Sequence, residues 1–289
     1  MPADLIKSMR PVQWIKNLLV FAGLIFAHEL SDPHKISLTV QAFCVFCILS
    51  SAVYLLNDCI DRERDCQHPL KRMRPLASGA LSLELVLGVA LALAAGAGVW
   101  GFFLGGRLLM IGGLYLALNL LYSWRLKQLV IIDVMAIACG FVLRVLAGTL
   151  VIGVYTSPWL LLCTFLLSLF MGFGKRRHEL VLLEEEAAEH RDVLMHYSPY
   201  FLDQMISIVT ASTLICYILY TLSPETVDKV GSYDLLYSVP LVMYGIFRYL
   251  YLIHQRESGG DPAQLVLTDR SLLLAVCCWS ACVFYVLYL

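Results

Sequence analysis

Of 289 residues, 60% are hydrophobic and only 15% are charged, against about 25% charged in an ordinary soluble domain. That balance excludes water as the main solvent and puts the lipid bilayer in its place. The net charge of −1 and pI near 6.6 say little by themselves; no nucleic acid is expected as a partner, and what matters is which loops hold Lys and Arg.

The first seventeen residues are basic and amphipathic, with no short apolar stretch leading to a small-residue cleavage site, so they are expected to stay on the mature protein. Apolar runs then fall at roughly residues 17–30, 36–56, 82–104, 107–124, 129–152, 158–174, 205–223, 235–253 and 270–289, each near the ~20 residues that cross a ~30 Å hydrocarbon core. The expected architecture is all-α: a polytopic integral membrane bundle of about nine transmembrane helices in one membrane domain, residues 1–289. Eight of the ten cysteines lie inside apolar runs, where Cys acts as a small hydrophobe. Cys59 and Cys66 lack the neighbouring ligands that a zinc site needs.

Short connections alternate with long charged ones. With the N-terminus inside, sixteen Lys and Arg fall on inner segments and only Lys35, Arg107 and Lys229 on outer ones. This asymmetry makes the loops at 57–81, 125–128, 175–204 and 254–269 cytoplasmic and puts the C-terminus outside. A bacterial inner membrane is the expected location.

The second run ends in Asn57-Asp58-Cys59-Ile60-Asp61-Arg62-Glu63-Arg64-Asp65. Asn57, Asp61 and Asp65 stand at i, i+4 and i+8, one face of a helix if the helix continues. Like charges at that spacing weaken a helix by a few tenths of a kcal/mol, which makes sense if a cation sits between them. Hard oxygen ligands from Asn57, Asp58, Asp61 and Asp65 suit Mg²⁺, which takes one or two carboxylates plus phosphate oxygens. Lys71, Arg72 and Arg74 follow, with the chemistry of an anion clamp. A solvated loop of mutually paired charges is the ordinary alternative, but here the acids abut an apolar run at regular spacing.

Elsewhere, Asp133 and Arg144 lie eleven residues apart in the fifth run, three turns and about 20° of rotation. This stripe either lines a substrate chamber or ties helices together through carbonyls, with Gly140 and Gly148 allowing close packing beside it. Tyr122 is either an interfacial aromatic or part of the site. Lys175, Arg176 and Arg177 are either a positive-inside anchor or a phosphate site. Glu184, Glu185, Glu186 and Glu189 read as a solvated helix face, with a second metal contact from Glu185 and Glu189 at i, i+4 as the alternative, and Arg248 is close enough to its span's end to snorkel.

The run Asn57-Asp58-x-x-Asp61-x-x-x-Asp65, continued by His68-Pro69-x-Lys71-x-x-Arg74-Pro75-x-Ala77-Ser78-Gly79, resembles the first Asp-rich motif of the UbiA superfamily of intramembrane prenyltransferases. The resemblance implies nine helices around a central cavity, cytoplasmic loops that bind Mg²⁺ and a diphosphate, and a lateral opening for a lipid chain. Arg10-Pro11-x-Gln13-Trp14-x-Lys16-Asn17, Tyr122-Ser123-x-x-Leu126-Lys127, Asp133, Gly140-Phe141-x-x-Arg144 and Gly174-Lys175-Arg176-x-x-Glu179 are similar to the superfamily's decaprenyl-phosphate phosphoribosyltransferase branch.

That branch implies phosphoribosyl diphosphate as donor, a polyprenyl phosphate as acceptor and pyrophosphate as product, in the synthesis of cell-envelope glycans. Asp58, Asp61 and Lys127 are then expected to be catalytic, with Mg²⁺ on Asn57, Asp58, Asp61 and Asp65. Substrate would meet Lys16, Asn17, Tyr122, Lys71, Arg74, Arg144, Lys175 and Arg176. The sequence departs from aromatic prenyltransferases after the sixth run, where Lys-Arg-Arg-x-Glu replaces a second Asp-x-x-x-Asp. A prenyl diphosphate donor is thus the second reading, and a transporter a third, since the acids cluster at one surface instead of the midplane.

Overall fold

The structure is a computed structural model that describes residues 2–67, 71–185, 192–255 and 262–289. His68, Glu186, Glu189 and the Glu184 and Glu185 side chains lie outside the described part. Every described element is a helix. In order they are α1 (Pro2–Met9), a 3₁₀ helix (Pro11–Phe21), α2 (Ala22–Phe26), α3 (Pro33–Ile60), α4 (Arg62–Gln67), α5 (Leu83–Leu104), α6 (Gly106–Trp124) and α7 (Ile132–Val151). Then come α8 (Pro158–Glu185), α9 (Pro199–Leu222), α10 (Pro224–Val230), α11 (Val239–Gln255), α12 (Pro262–Thr268) and α13 (Arg270–Tyr288). Short 3₁₀ turns join several of them.

Eight of these helices are long and apolar enough to cross a membrane. Only 22% of the apolar window of α5, and the same share of α13, is buried within the protein. Leu91, Val99, Phe102 and Phe103 therefore point outward; in water such a face would be an aggregation liability, and in lipid it is solvated. Helix starts follow local chemistry: Asp32, Ser82, Ser198 and Asp269 each accept a backbone N–H of the first turn of α3, α5, α9 and α13, satisfying donors that have no partner inside the helix. Arg248 of α11 also forks onto Asp269, at 3.1 and 2.8 Å. These bonds hold the Asp269 carboxyl below its ordinary pKa.

The first expected span, residues 17–30, differs from the rest: its helix begins six residues earlier, at Pro11, and ends at Phe26. Its apolar helical stretch, Pro11–Phe26, falls short of the length of the other eight, and most of it is 3₁₀. A 3₁₀ helix rises ~2.0 Å per residue against ~1.5 Å for an α-helix. The two pieces together therefore cover about 30 Å, a membrane's hydrocarbon thickness, with fewer residues than an α-helix needs.

The chain forms two compact units, Met1–Thr156 and Ser157–Leu289. In the first, α3 is the central helix and packs against α5, α6, α7 and the 3₁₀ helix. One core cluster joins Val20, Ala42, Phe46, Leu108, Tyr115 and Ala147. A second gathers Leu55, Leu76, Leu81 and Val86, with Leu5 and Met9 of α1 laid against it. This second cluster fixes the N-terminal segment and the 76–81 loop beside the end of α3. In the second unit, α8 packs on α9 and α11 on α13.

Candidate active site

The charged end of α3 builds the site. The helix closes at Ile60, Asp61 caps it, and α4 begins at Arg62. The Asp61 N–H still donates to Asn57, and the Asp65 N–H to Asp61, at 2.9 and 2.8 Å. The turn therefore continues, and the acids divide by the partners they meet.

Asp58 and Asp65 form one group. Arg74 reaches both carboxylates, at 3.2 and 2.6 Å. Arg10 donates to Asp58 at 2.6 Å and lies 4.8 Å from the centre of the Tyr54 ring. Both acids are nearly closed off, at 3% and 4% exposure, so each needs a cation or a network of donors to remain charged. Pro11 has no N–H and disfavours helical backbone in the residue before it. The helix α1 accordingly ends at Met9, and Arg10 turns the corner in left-handed conformation at φ 53°.

Asn57 and Asp61 form the other group. Ser123, at the end of α6, donates to Asn57 Oδ1 at 2.8 Å. Lys127 meets Asp61 at 2.5 Å. Lys127 sits on a 3₁₀ turn between α6 and α7, followed by Ile131 at φ 69°. A β-branched residue there costs on the order of 1–3 kcal/mol, strain of a kind that clusters at functional sites. Among the described residues, Arg10, Asp58, Arg74 and Asp65 thus form one series of ion pairs at the end of α3, and Lys127 and Asp61 a second.

The other expected residues divide. Lys16, Lys71 and Tyr122 are half-buried, with Lys71 three residues before Arg74 and Tyr122 beside Ser123. Asp133 is fully buried in the first turn of α7, where the helix dipole favours an acid. Asn17 and Arg144 are placed in a closed polar network. Arg144 donates to Asn17, to the Gly140 carbonyl and to the Tyr115 hydroxyl, and Asn17 donates to Ser50.

In the second unit, Arg176 is 2% exposed and paired with Glu179 at 2.6 Å. Lys175 is open to solvent along nearly half its side chain. Arg177 binds Asp203 at 2.5 Å, and His254 reaches the same oxygen at 3.1 Å. Arg10, Asp203 and His254 carry no role legible in the sequence, because their partners lie 48, 26 and 51 residues away. Arg10 stands inside a quoted motif, but nothing local names its partner.

For a divalent cation, the donor set fits: all-oxygen ligands within nine residues of chain, with Asp58 and Asp65 already drawn toward one Arg74 nitrogen. Among the described residues, however, no three His, Cys, Asp or Glu side chains converge as a metal cage. Ammonium and guanidinium groups meet the carboxylates instead.

A profile of the UbiA prenyltransferase family matches residues 17–268. The chain belongs to the UbiA prenyltransferase family. Relatives in the family include a decaprenyl-phosphate phosphoribosyltransferase of Corynebacterium glutamicum, 34% identical over 99% of this chain and 87% of that protein. The enzyme of the same description from Mycolicibacterium smegmatis is 32% identical over 96% of this chain and 90% of its own. A solved UbiA homolog from Archaeoglobus fulgidus, bound to GPP and Mg²⁺, has a TM-score of 0.72 with 99% of this chain and all of that one covered. At 18% identity, that likeness is one of fold. This UbiA-family chain is therefore a membrane transferase, and its Asp-rich run closes α3.

Proposed function

We propose that this UbiA-family chain transfers 5-phosphoribose from phosphoribosyl diphosphate to a polyprenyl phosphate of decaprenyl type and releases pyrophosphate. The observation that carries this reading is full-length similarity to two decaprenyl-phosphate phosphoribosyltransferases, taken with Arg10, Arg74 and Lys127 beside the carboxylates. A donor bearing three phosphates needs more cations than a prenyl diphosphate does.

In this mechanism an oxygen of the acceptor phosphate forms a bond to the donor's C1 while the bond from C1 to the diphosphate oxygen breaks. The electron pair leaves with pyrophosphate. The acceptor oxygen is anionic at neutral pH, so no strong general base is needed. Asn57, Asp58, Asp61 and Asp65 would hold Mg²⁺, which supplies charge neutralisation to the departing diphosphate. Arg10, Arg74 and Lys127 then exchange their carboxylate partners for phosphate oxygens, with Lys16 and Lys71 beside them. Lys175 and Arg176 are the phosphate-binding residues proposed for the second unit. The excess of basic residues on one set of loops supports a cytoplasmic site, with the N-terminus inside and the C-terminus outside.

The test is direct. Membranes containing the chain are incubated with labelled phosphoribosyl diphosphate and a polyprenyl phosphate, with Mg²⁺ or excess chelator. Label is expected in the lipid extract with Mg²⁺ only. Its absence alongside consumption of a prenyl diphosphate would move the assignment to prenyl transfer.

Arg74 gives a second check. Arg74→Ala removes the bridge between Asp58 and Asp65, so two closed-off acids face each other with Arg10 alone. Donor kcat/KM is expected to fall by roughly 100-fold, the loss of about 2.7 kcal/mol of transition-state binding. Arg74→Lys, which lacks the fork, should recover only part of it. Wild-type kinetics in Arg74→Ala would remove Arg74 from the clamp.

A further inference from the structure

Arg144 stands at the thirteenth position of the twenty-residue helix α7 and is 6% exposed. Its partners are all neutral: Asn17 Oδ1 at 2.7 Å, the Gly140 carbonyl at 2.8 Å and the Tyr115 hydroxyl at 2.8 Å. The rings of Tyr115 and Phe141 flank it, with centres 4.8 and 5.3 Å from the guanidinium carbon. A charge so deep in a membrane helix is expensive, and an apolar side chain would fill the volume without that cost. Its position, about 16 Å along the axis from Asp133, is too deep to reach a diphosphate held at the end of α7 that follows Lys127.

What Arg144 does reach is the 3₁₀ helix. Asn17 is fully buried. Arginine can only donate, so its bond to Asn17 Oδ1 turns the amide nitrogen toward Ser50 Oγ, 3.1 Å away, and Cys47 Sγ, 3.4 Å away. One turn earlier Trp14 Nε1 donates to Ser51 Oγ at 3.0 Å, and that hydroxyl donates to the Met9 carbonyl at 3.2 Å. The next residue is Arg10, at 2.6 Å from Asp58. A ladder of polar contacts thus runs from the middle of α7 to the carboxylates. A 3₁₀ helix holds its own register poorly and is uncommon beyond a few residues, so an eleven-residue one depends on such ties.

We propose that Asn17 and Arg144 are positioning residues, which hold the 3₁₀ helix in the register that brings Arg10 to Asp58 and to the donor diphosphate. This rests on the reading of Arg10 as a phosphate ligand. It separates Asn17 and Arg144 from the residues that touch substrate.

The test uses the full chain purified in detergent and inorganic pyrophosphate with Mg²⁺ as the probe, with affinity measured by titration calorimetry and folding by thermal unfolding. Arg10→Ala is expected to weaken pyrophosphate binding by about tenfold. Asn17→Ala should weaken it by roughly fivefold alone and by less than about twofold in the Arg10→Ala background, the non-additivity of residues acting through one another. Arg144→Met should behave like Asn17→Ala; if it fails to fold, Tyr115→Phe, which deletes one acceptor, takes its place.

Equal losses in both backgrounds would mean a general structural role and overturn the proposal. So would unchanged affinity in Asn17→Ala. If Arg10→Ala itself leaves affinity unchanged, the phosphate-ligand reading of Arg10 fails, and the positioning role fails with it. Coupling lost while Arg10→Ala still binds weakly overturns the positioning role alone.

Discussion

Asp61→Ala is expected to lower phosphoribosyl transfer at least about a thousandfold while the protein stays inserted and folded. The size follows from what Asp61 is proposed to do. A carboxylate that helps hold the metal acts on charge that develops as the pyrophosphate leaves, and such stabilisation is worth several kcal/mol, with each 1.36 kcal/mol a factor of ten. Folding should be little affected, because Asp61 lies beyond the last turn of α3 and its side chain is partly exposed, at 18%. Its ion pair to Lys127 lies in the loop region beyond the apolar spans. Single-turnover transfer and thermal unfolding of the same preparation separate the two effects. Retained transfer in folded Asp61→Ala would sink the metal assignment, whereas Lys127→Ala, which leaves the carboxylates intact, should lose less.

The long spans were legible because lipid imposes one rule on a contiguous stretch of chain: about twenty apolar residues with all backbone groups satisfied inside the helix. The runs beginning near residues 36, 82, 107 and 129 correspond to α3, α5, α6 and α7. The first run broke the rule through its rise, since nothing in Pro11–Phe26 announces a 3₁₀ helix until its packing on α7 is seen. Within the carboxylate run, Asn57 and Asp61 stand at i, i+4, and their partners Ser123 and Lys127 come from one region. Asp65 follows by a further i, i+4 turn, its N–H on the Asp61 carbonyl, but its carboxylate meets Arg74, which also holds Asp58 and comes from beyond an intervening loop. Period identifies a face, but a salt bridge across a loop is a tertiary choice. Arg10 and Asp58 are an extreme case. Arg144 carries the opposite lesson: the sequence offered a chamber-lining residue and a tie between helices through carbonyls, and its contacts are the Gly140 carbonyl of its own helix and the side chains of Asn17 and Tyr115, which no local spacing names.

Gly148→Ala should be among the most damaging single-methyl changes in the chain. At Gly148 the Val20 carbonyl of the 3₁₀ helix comes so close that a Cβ would overlap its oxygen and crowd its carbon as well. These are backbone atoms, so no rotamer change relieves them, and the 3₁₀ helix as a whole must move away from α7. Adjacent packing is equally close, since a Cβ at Gly23 would collide with the Thr149 side chain and backbone. Replacing Gly by Ala inside a helix normally gains up to about 1 kcal/mol, but overpacking a tight contact costs about 1–3 kcal/mol and a backbone collision more. A net loss on the order of 3 kcal/mol is expected, read as a fall in unfolding temperature and in monodisperse yield from detergent. Gly113→Ala, on an exposed part of α6 with nothing within 4 Å of the new methyl, should be neutral or slightly stabilising. If the two variants unfold alike, the close seat of Val20 on α7 is wrong. If Gly148→Ala folds with a shifted 3₁₀ helix, pyrophosphate affinity should fall with it, because the same displacement carries Arg10 away from Asp58.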